Sequence, residues 1–349
     1  MGEHNVPTLN LISLLQCPQR VSEVSDAQWN EIVETGRNSQ LLGQLATALR
    51  RAGVFELVLP AVQRHLALDE LTARRRAEAA LWELKGMRRA IDPTIPLVVL
   101  KGCAYMAADD TNATGRLFSD VDLMVPRANL DTVESSLISV GWKPSRVNDY
   151  DLAYYRNWMH EVPPMEHVRR HTVCDLHHAI NPPVSRYYIP PEKLFAHLVE
   201  VLPGIHVLSP VDRVIHCALH LLQEGEPKKL LRDLYDLHLL LQQHFGPDRD
   251  LTPLLLRAEE LGVGAPTRTA VAAAQSLFVG NTTAQAPKGW LQKQVEVAAL
   301  STLGQGRLSG DLADWAVLAH SHWMKMPLRL LVPHLARKTW LTWFPDKDV

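Results

Sequence analysis

Between residues 8 and 90 the apolar positions recur at helical spacing. The pattern predicts helices over 27–36 and 40–52 and a long one over 56–90. In the long one Leu57, Leu66, Leu68, Leu71, Ala77, Ala80, Leu81 and Leu84 form the apolar stripe. Asp92-Pro93 and Ile95-Pro96 end it, since proline lacks an N–H and disfavours helix in the residue before it. Past Pro96 the period changes. Residues 97–100 are a short apolar run of strand type that ends in Lys101-Gly102, and 103–108 read as helix. A turn-rich loop over 109–115 leads into 120–125, which alternates polar and apolar before becoming fully apolar, as a strand with one wet edge does. Residues 130–140 predict an amphipathic helix, Gly141-Trp142 a turn into another strand, and 145–170 an irregular polar stretch. Residues 171–177 alternate again, and Pro182-Pro183 closes that strand. From Pro190 on the pattern returns to helices, over 191–202, 210–223, 228–244, 252–261 and 267–278, with a tail over 309–343 broken by Pro327 and Pro333.

These elements predict an α+β protein. A small mixed-sheet core (93–190) is flanked by an N-terminal helical segment (1–92) and a C-terminal helical domain (191–349). The length of 349 residues and an apolar share of 46% fit two packed lobes or one elaborated domain with a sizeable core. The formal charge of −2 gives no global basic field, so wholesale nucleic-acid binding is not indicated, although local basic patches leave room for it. The four cysteines, Cys17, Cys103, Cys174 and Cys217, are scattered and form no CxxC pair, which suits free thiols in a reducing compartment. The first twenty residues lack a charged start followed by a long apolar run, and no stretch approaches a membrane span. The expected setting is cytoplasmic.

Candidate chemistry concentrates in the strand-rich core. Asp120 and Asp122 stand two apart on one strand, so their side chains share a face. Like charges about 7 Å apart at their Cα atoms are costly without a cation between them. Oxygen ligands of this kind suit Mg²⁺ or Mn²⁺. Asp175, on a later and otherwise apolar strand, is the candidate third carboxylate of a two-metal site. A lone DxD is weak evidence, because exposed strand ends and metal-dependent glycosyltransferases carry it too. Its surroundings strengthen it. Lys101-Gly102 joins a strand to a helix, and Arg116 and Ser119 lie just upstream of the acids, where they offer charge-assisted contacts to phosphate.

In order, Leu100-Lys101-Gly102, then Arg116-x-x-Ser119-Asp120-Val121-Asp122-Leu123-Met124-Val125, then Val173-Cys174-Asp175-Leu176-His177 resemble the polymerase-beta-like nucleotidyltransferase superfamily. Within it the chain is similar to the bacterial uncharacterised nucleotidyltransferase family, over about residues 95 to 240, including Asp236 on a helix. The resemblance implies a small mixed sheet with helices, metal on Asp120 and Asp122, and Asp175 as catalytic base. It also implies an NTP donor, with ATP favoured. One departure stands out: Gly102-Cys103 occupies the place of the superfamily's Gly-Ser or Gly-Gly. Lys101 is then the candidate point charge for the phosphates.

Other residues carry smaller expectations. Period two turns His177 to the side of Asp175, where it can orient that acid or the acceptor. The stretch 160–167, with His160, Glu161, Glu166 and His167, is rich in ligand atoms but matches no common zinc spacing, so it reads as an acceptor-binding loop or as plain structure. His216 and His220 share a helix face without the glutamate of HExxH and read as core histidines. Arg232, Asp233 and Asp236 suggest a salt-bridge network on one helix or a contact to the nucleotide lobe, with Asp236 a candidate acceptor or supporting residue of the site. Arg74 to Arg76, and Arg329, Arg337 and Lys338 near Trp340 and Trp343, read as solvated or packing faces. Three function classes remain in competition. They are NMP transfer from NTP to an acceptor hydroxyl with pyrophosphate release, metal-dependent glycosyl transfer from a nucleotide-sugar, and a non-catalytic nucleotide-binding scaffold on the same core. No run of βαβ units precedes the DxD, as the second would need, and all three acids are present, which argues against the third.

Overall fold

The computed structural model describes residues 10–145, 154–155, 158–246, 250–279, 288–301, 307–333 and 336. Four helices come first: α1 (Leu11–Gln16), α2 (Asp26–Asn38), α3 (Leu42–Arg51) and the long α4 (Pro60–Ala90). Ser25 and Gln28 form a reciprocal capping box at the start of α2, and Pro60 opens α4 in the first turn, where its missing N–H costs nothing. Then come β1 (Leu97–Val99), α5 (Lys101–Ala107), β2 (Asp120–Met124), α6 (Leu130–Ser139), β3 (Trp142–Pro144), β4 (Met165–His167) and β5 (Val173–His177). After α7 (Pro191–Phe195), β6 (Val199–Leu202) and β7 (Ile205–Val207) make a hairpin. The C-terminal helices are α8 (Pro210–Glu224), α9 (Pro227–Phe245), α10 (Thr252–Glu260), α11 (Gly264–Phe278), α12 (Trp290–Ser301) and α13 (Arg307–Lys325). This is the expected α+β architecture.

One seven-stranded mixed sheet runs in the order β3-β4-β5-β2-β1-β7-β6. Two expectations fail on it. Residues 191–202 are not one helix: it stops at Phe195, and 199–202 with 205–207 are strands. Pro203-Gly204 makes the turn, with Gly204 in the left-handed region at φ +70°, and β7 gains a parallel partner in β1. The polar stretch 145–170 also holds a strand, β4, which fills the gap between β3 and β5. Both are short strands whose hydrogen bonds come from distant segments, so local pattern carries little of their stability. Lys101, expected to end a strand, instead opens α5 with φ +51°.

Period two divides the sheet between two cores. Leu97, Val99, Val121, Leu123, Cys174 and Leu176 face α4, α5 and α6 and are buried with Leu84, Met87, Ala104, Val133 and Leu137. Val98 and Met124 face the other way, into a larger core that α1 to α3 share with α8 to α12. Asp120 and Asp122 stand on the Met124 side of β2, and Asp175 and His177 on the matching side of β5. The fold therefore turns its acids toward the face that the helical lobe covers. Among the described residues no helix is long and apolar enough to cross a membrane.

Candidate active site

β2 and β5 are parallel neighbours in register, with Asp122 opposite Asp175, Asp120 opposite Val173 and Met124 opposite His177. That pairing brings Asp122, Asp175 and His177 together, each with a ligand atom within 4.8 Å of the others. Asp122 is almost wholly buried. Its Oδ1 accepts from Lys101 Nζ at 2.7 Å and lies 3.0 Å from His177 Nε2. Burial opposes its ionisation, but Lys101 and His177 outweigh that cost and hold its carboxyl far below the usual carboxylate range. Asp175 is the reverse case. Its Oδ1 is buried without a hydrogen-bond partner. Burial first, then the charges of Asp122 and Glu161, push its carboxyl up to about 7. Asp120 sits nearer the surface and accepts from Ser119 Oγ at 2.8 Å.

These residues line a polar cavity of about 490 Å³ between the sheet and helices α8 and α9. Lys101, Gly102, Arg116, Ser119, Asp120, Asp122, His160, Asp175 and Asp236 all reach it. His177 lies behind Asp122. The positive groups are already engaged. Lys101 is held on Asp122, and charge attraction to Asp122, Glu161 and Asp120 keeps its ammonium protonated despite burial. Arg116 Nε donates to Asp236 Oδ2 at 2.7 Å, and Gln44 Nε2 donates to the other oxygen of Asp236 at 3.0 Å. Asp236 thus braces the loop before β2 against α9. Gly102 is required because a Cβ there would lie 2.6 Å from Arg116 Nη1 and 2.7 Å from the Phe118 ring. Cys103, in place of serine, turns into the core and its thiol donates to the Asp120 carbonyl at 3.4 Å, so it supports β2 from behind.

Several cavity residues were not singled out as site residues in the sequence. His216, His220, Gln223 and Glu224 come from α8, Lys229, Arg232 and Asp233 from α9, and Lys325 from α13. Burial pushes His216 down to about 3 and holds His220 well below the ordinary imidazole value, so both are neutral. Their shared helix face signalled that they would point one way; what they point at depends on the packing of α8 on the sheet. Arg232 pairs with Asp233 at 2.7 Å and also donates to Gln40 Oε1 at 2.6 Å, linking α9 to the segment before α3. The stretch 160–167 splits. His160 and Glu161 face the cavity, while the buried His167 ring packs edge-on against Trp142, and Glu166 pairs with His171 at the surface. Burial keeps His160 neutral. Arg75 pairs with Glu78 on the exposed face of α4, but Arg76 donates to the Phe118 carbonyl at the cavity rim. Arg337, Lys338, Trp340 and Trp343 lie outside the described residues.

A family model described as uncharacterised nucleotidyltransferase matches residues 25–279. That span takes in the whole sheet, all the candidate carboxylates and helices α8 to α11. No curated protein and no solved structure matches.

Proposed function

Since the chain belongs to the uncharacterised nucleotidyltransferase family, we propose that it transfers a nucleoside monophosphate from an NTP, with ATP favoured, to an acceptor hydroxyl and releases pyrophosphate. The observation that carries this reading is the Asp122–Asp175 register pair, which leaves one buried carboxylate oxygen of Asp175 without a partner beside a second acid. Buried polar atoms are normally satisfied, and closely paired acids are costly, which supports a cation at this site. Asp122 and Asp175, with Asp120 at the same cavity, are the residues to hold Mg²⁺ or Mn²⁺. When bound, such an ion supplies charge neutralisation for the triphosphate and acidifies the attacking hydroxyl.

The chain's own groups divide the remaining work. Asp175, with its carboxyl at about 7, is suited to accept the acceptor's proton near neutral pH. As that proton leaves, the acceptor oxygen bonds to the α-phosphorus and the bond from that phosphorus to the bridging oxygen breaks. The electron pair goes out on pyrophosphate. Lys101 keeps Asp122 ionised and adds a fixed positive charge at the cavity wall. The histidines of α8 are neutral and offer hydrogen bonds without charge. The enclosed space between sheet and helices limits water at the reacting atoms.

The test is incubation with each α-labelled NTP, Mg²⁺ or Mn²⁺ and a cell extract. Labelled acceptor together with pyrophosphate is expected, and both should vanish in Asp122→Asn while circular dichroism stays native. Lys101→Ala should weaken NTP binding about 10-fold, the scale of one charge-assisted contact. Release of a nucleoside diphosphate with sugar transfer would replace this reading with the glycosyltransferase one. Full turnover by Asp175→Asn would remove Asp175 from the role of base.

A further inference from the structure

We propose that His160, Glu161 and His177 form a separate site for a divalent ion of the zinc class, chemically distinct from the carboxylate site that adjoins it. Backbone pairing fixes the three side chains. Glu161 and His177 face each other across an isolated antiparallel bridge. On either side of it, His178 N–H donates to the His160 carbonyl at 2.7 Å and Val162 N–H donates to the Leu176 carbonyl at 3.0 Å. Opposed residues of an antiparallel bridge project their side chains to the same face. His177 Nδ1 accordingly lies 3.3 Å from Glu161 Oε2, and His160 Nε2 lies 4.0 Å from the same oxygen. The three residues' ligand atoms all fall within 4.8 Å of one another. Two ligand atoms about 2.05 Å from a tetrahedral ion are roughly 3.3 Å apart, so Glu161 and His177 already stand at that spacing and His160 must move in to complete the set.

Unmet hydrogen bonding points to a ligand independently of those distances. The His177 side chain is 1% exposed. Its Nε2 faces Asp122 Oδ1 at 3.0 Å, yet its Nδ1, the nitrogen turned toward Glu161, has no hydrogen-bond partner. A ring that gives one N–H to a carboxylate and leaves the other nitrogen bare is oriented as metal-binding histidines are, with the carboxylate fixing the tautomer. Asp122 then has two roles, ligand on the carboxylate side and orienting group for His177 on the other. Two imidazoles and one carboxylate suit Zn²⁺, Co²⁺ or Mn²⁺, whereas Mg²⁺ prefers an all-oxygen shell. Three protein ligands leave a position open. His160 and Glu161 both line the cavity, so that position faces the space where a phosphate or acceptor oxygen would come.

Metal uptake is measured without nucleotide, so this inference and the transferase reading fail separately. The full chain is stripped with chelator and titrated with Co²⁺, then Zn²⁺, in excess Mg²⁺. Expected are one Co²⁺ per chain with a visible d–d band, displacement by Zn²⁺ but not by Mg²⁺, and a Zn²⁺-dependent rise in Tm. His160→Gln and Glu161→Gln should each weaken Co²⁺ binding roughly 100-fold while circular dichroism stays native, and Asp120→Asn should leave it within about 2-fold. Glu161 is slightly more exposed than His160, so its variant serves if the His160 change disturbs folding. Absence of Co²⁺ uptake, uptake unchanged in both variants, or loss in Asp120→Asn equal to that in Glu161→Gln would overturn the site. The last would place the ion among the aspartates.

Discussion

Two acids, the buried Asp110 and the half-buried Asp175, sit in the same protein under opposite conditions. Asp110, ahead of β2, is fully enclosed, and both its oxygens are met. Arg213 donates to them at 2.8 and 2.9 Å, and His244 Nε2 approaches at 3.0 Å. Asp175 is enclosed on one oxygen only, and that oxygen is met by nothing, beside the charge of Asp122. Burial alone therefore separates neither structure from chemistry. What separates them is whether the fold supplies the counter-charge. A carboxylate answered by a bidentate guanidinium belongs to the scaffold. One left facing a like charge is the candidate for chemistry, and that contrast is what the proposed cation site rests on.

The largest expected effect lies on the satisfied side. Arg213→Leu should lower the unfolding free energy by about 3–5 kcal/mol, because it strands the Asp110 charge in the interior. Chemical denaturation measures it, and a loss under about 1 kcal/mol would mean that Asp110 is not dependent on its arginine. The double variant Arg213→Leu with Asp110→Leu should recover much of the loss.

Asp175 should behave the other way. Its ordinary carboxyl value of 3.8 rises to about 7 in the folded chain, so the folded state binds this proton more tightly than the unfolded one. Stability from this group is present below pH 3.8, declines as pH rises through that window, and is gone above about 7. At pH 8 the ionised acid is a net cost, on the order of a few kcal/mol at most. Asp175→Asn should thus melt higher than the parent at pH 8, with the gap shrinking as pH falls toward 5. Added Mg²⁺ should raise only the parent. A gap independent of pH would show that Asp175 is not the repelled member. The smallest effect is expected at the exposed Arg75–Glu78 pair, 2.9 Å apart on α4, where Arg75→Ala should change stability by less than about 0.5 kcal/mol.

Much of this contrast was legible in sequence, and the rest was not for definite reasons. Asp120 and Asp122 on one face of β2 followed from period two, and His177 on the side of Asp175 followed likewise. Helices α4, α8 and α9 were visible because each runs for several turns at helical period, although Leu57 of the α4 stripe lies ahead of that helix and Leu68 and Leu71 are exposed on it. Strands β4, β6 and β7 were missed because three or four residues hold too little pattern and their partners lie far along the chain. Lys101 and Arg116 were read as open charges. Their partners, 21 and 120 residues away, could not be seen from composition or spacing.

By itself, then, the sequence determined which residues are chemically able to act and which face of its own element each occupies, since side-chain direction within a strand or helix depends only on local backbone period. Tertiary structure alone decided which of them meet. The parallel register of β2 on β5 set Asp122 against Asp175, and the bridge at Glu161 brought a fourth acid to His177. The packing of α8 and α9 over that face decided that Asp236 would answer Arg116, while Asp175 Oδ1 has no hydrogen-bond partner among the described residues. Charge neutralisation acts over a few ångströms of space and is indifferent to distance along the chain. The same aspartate is therefore scaffold or site according to what the fold places beside it.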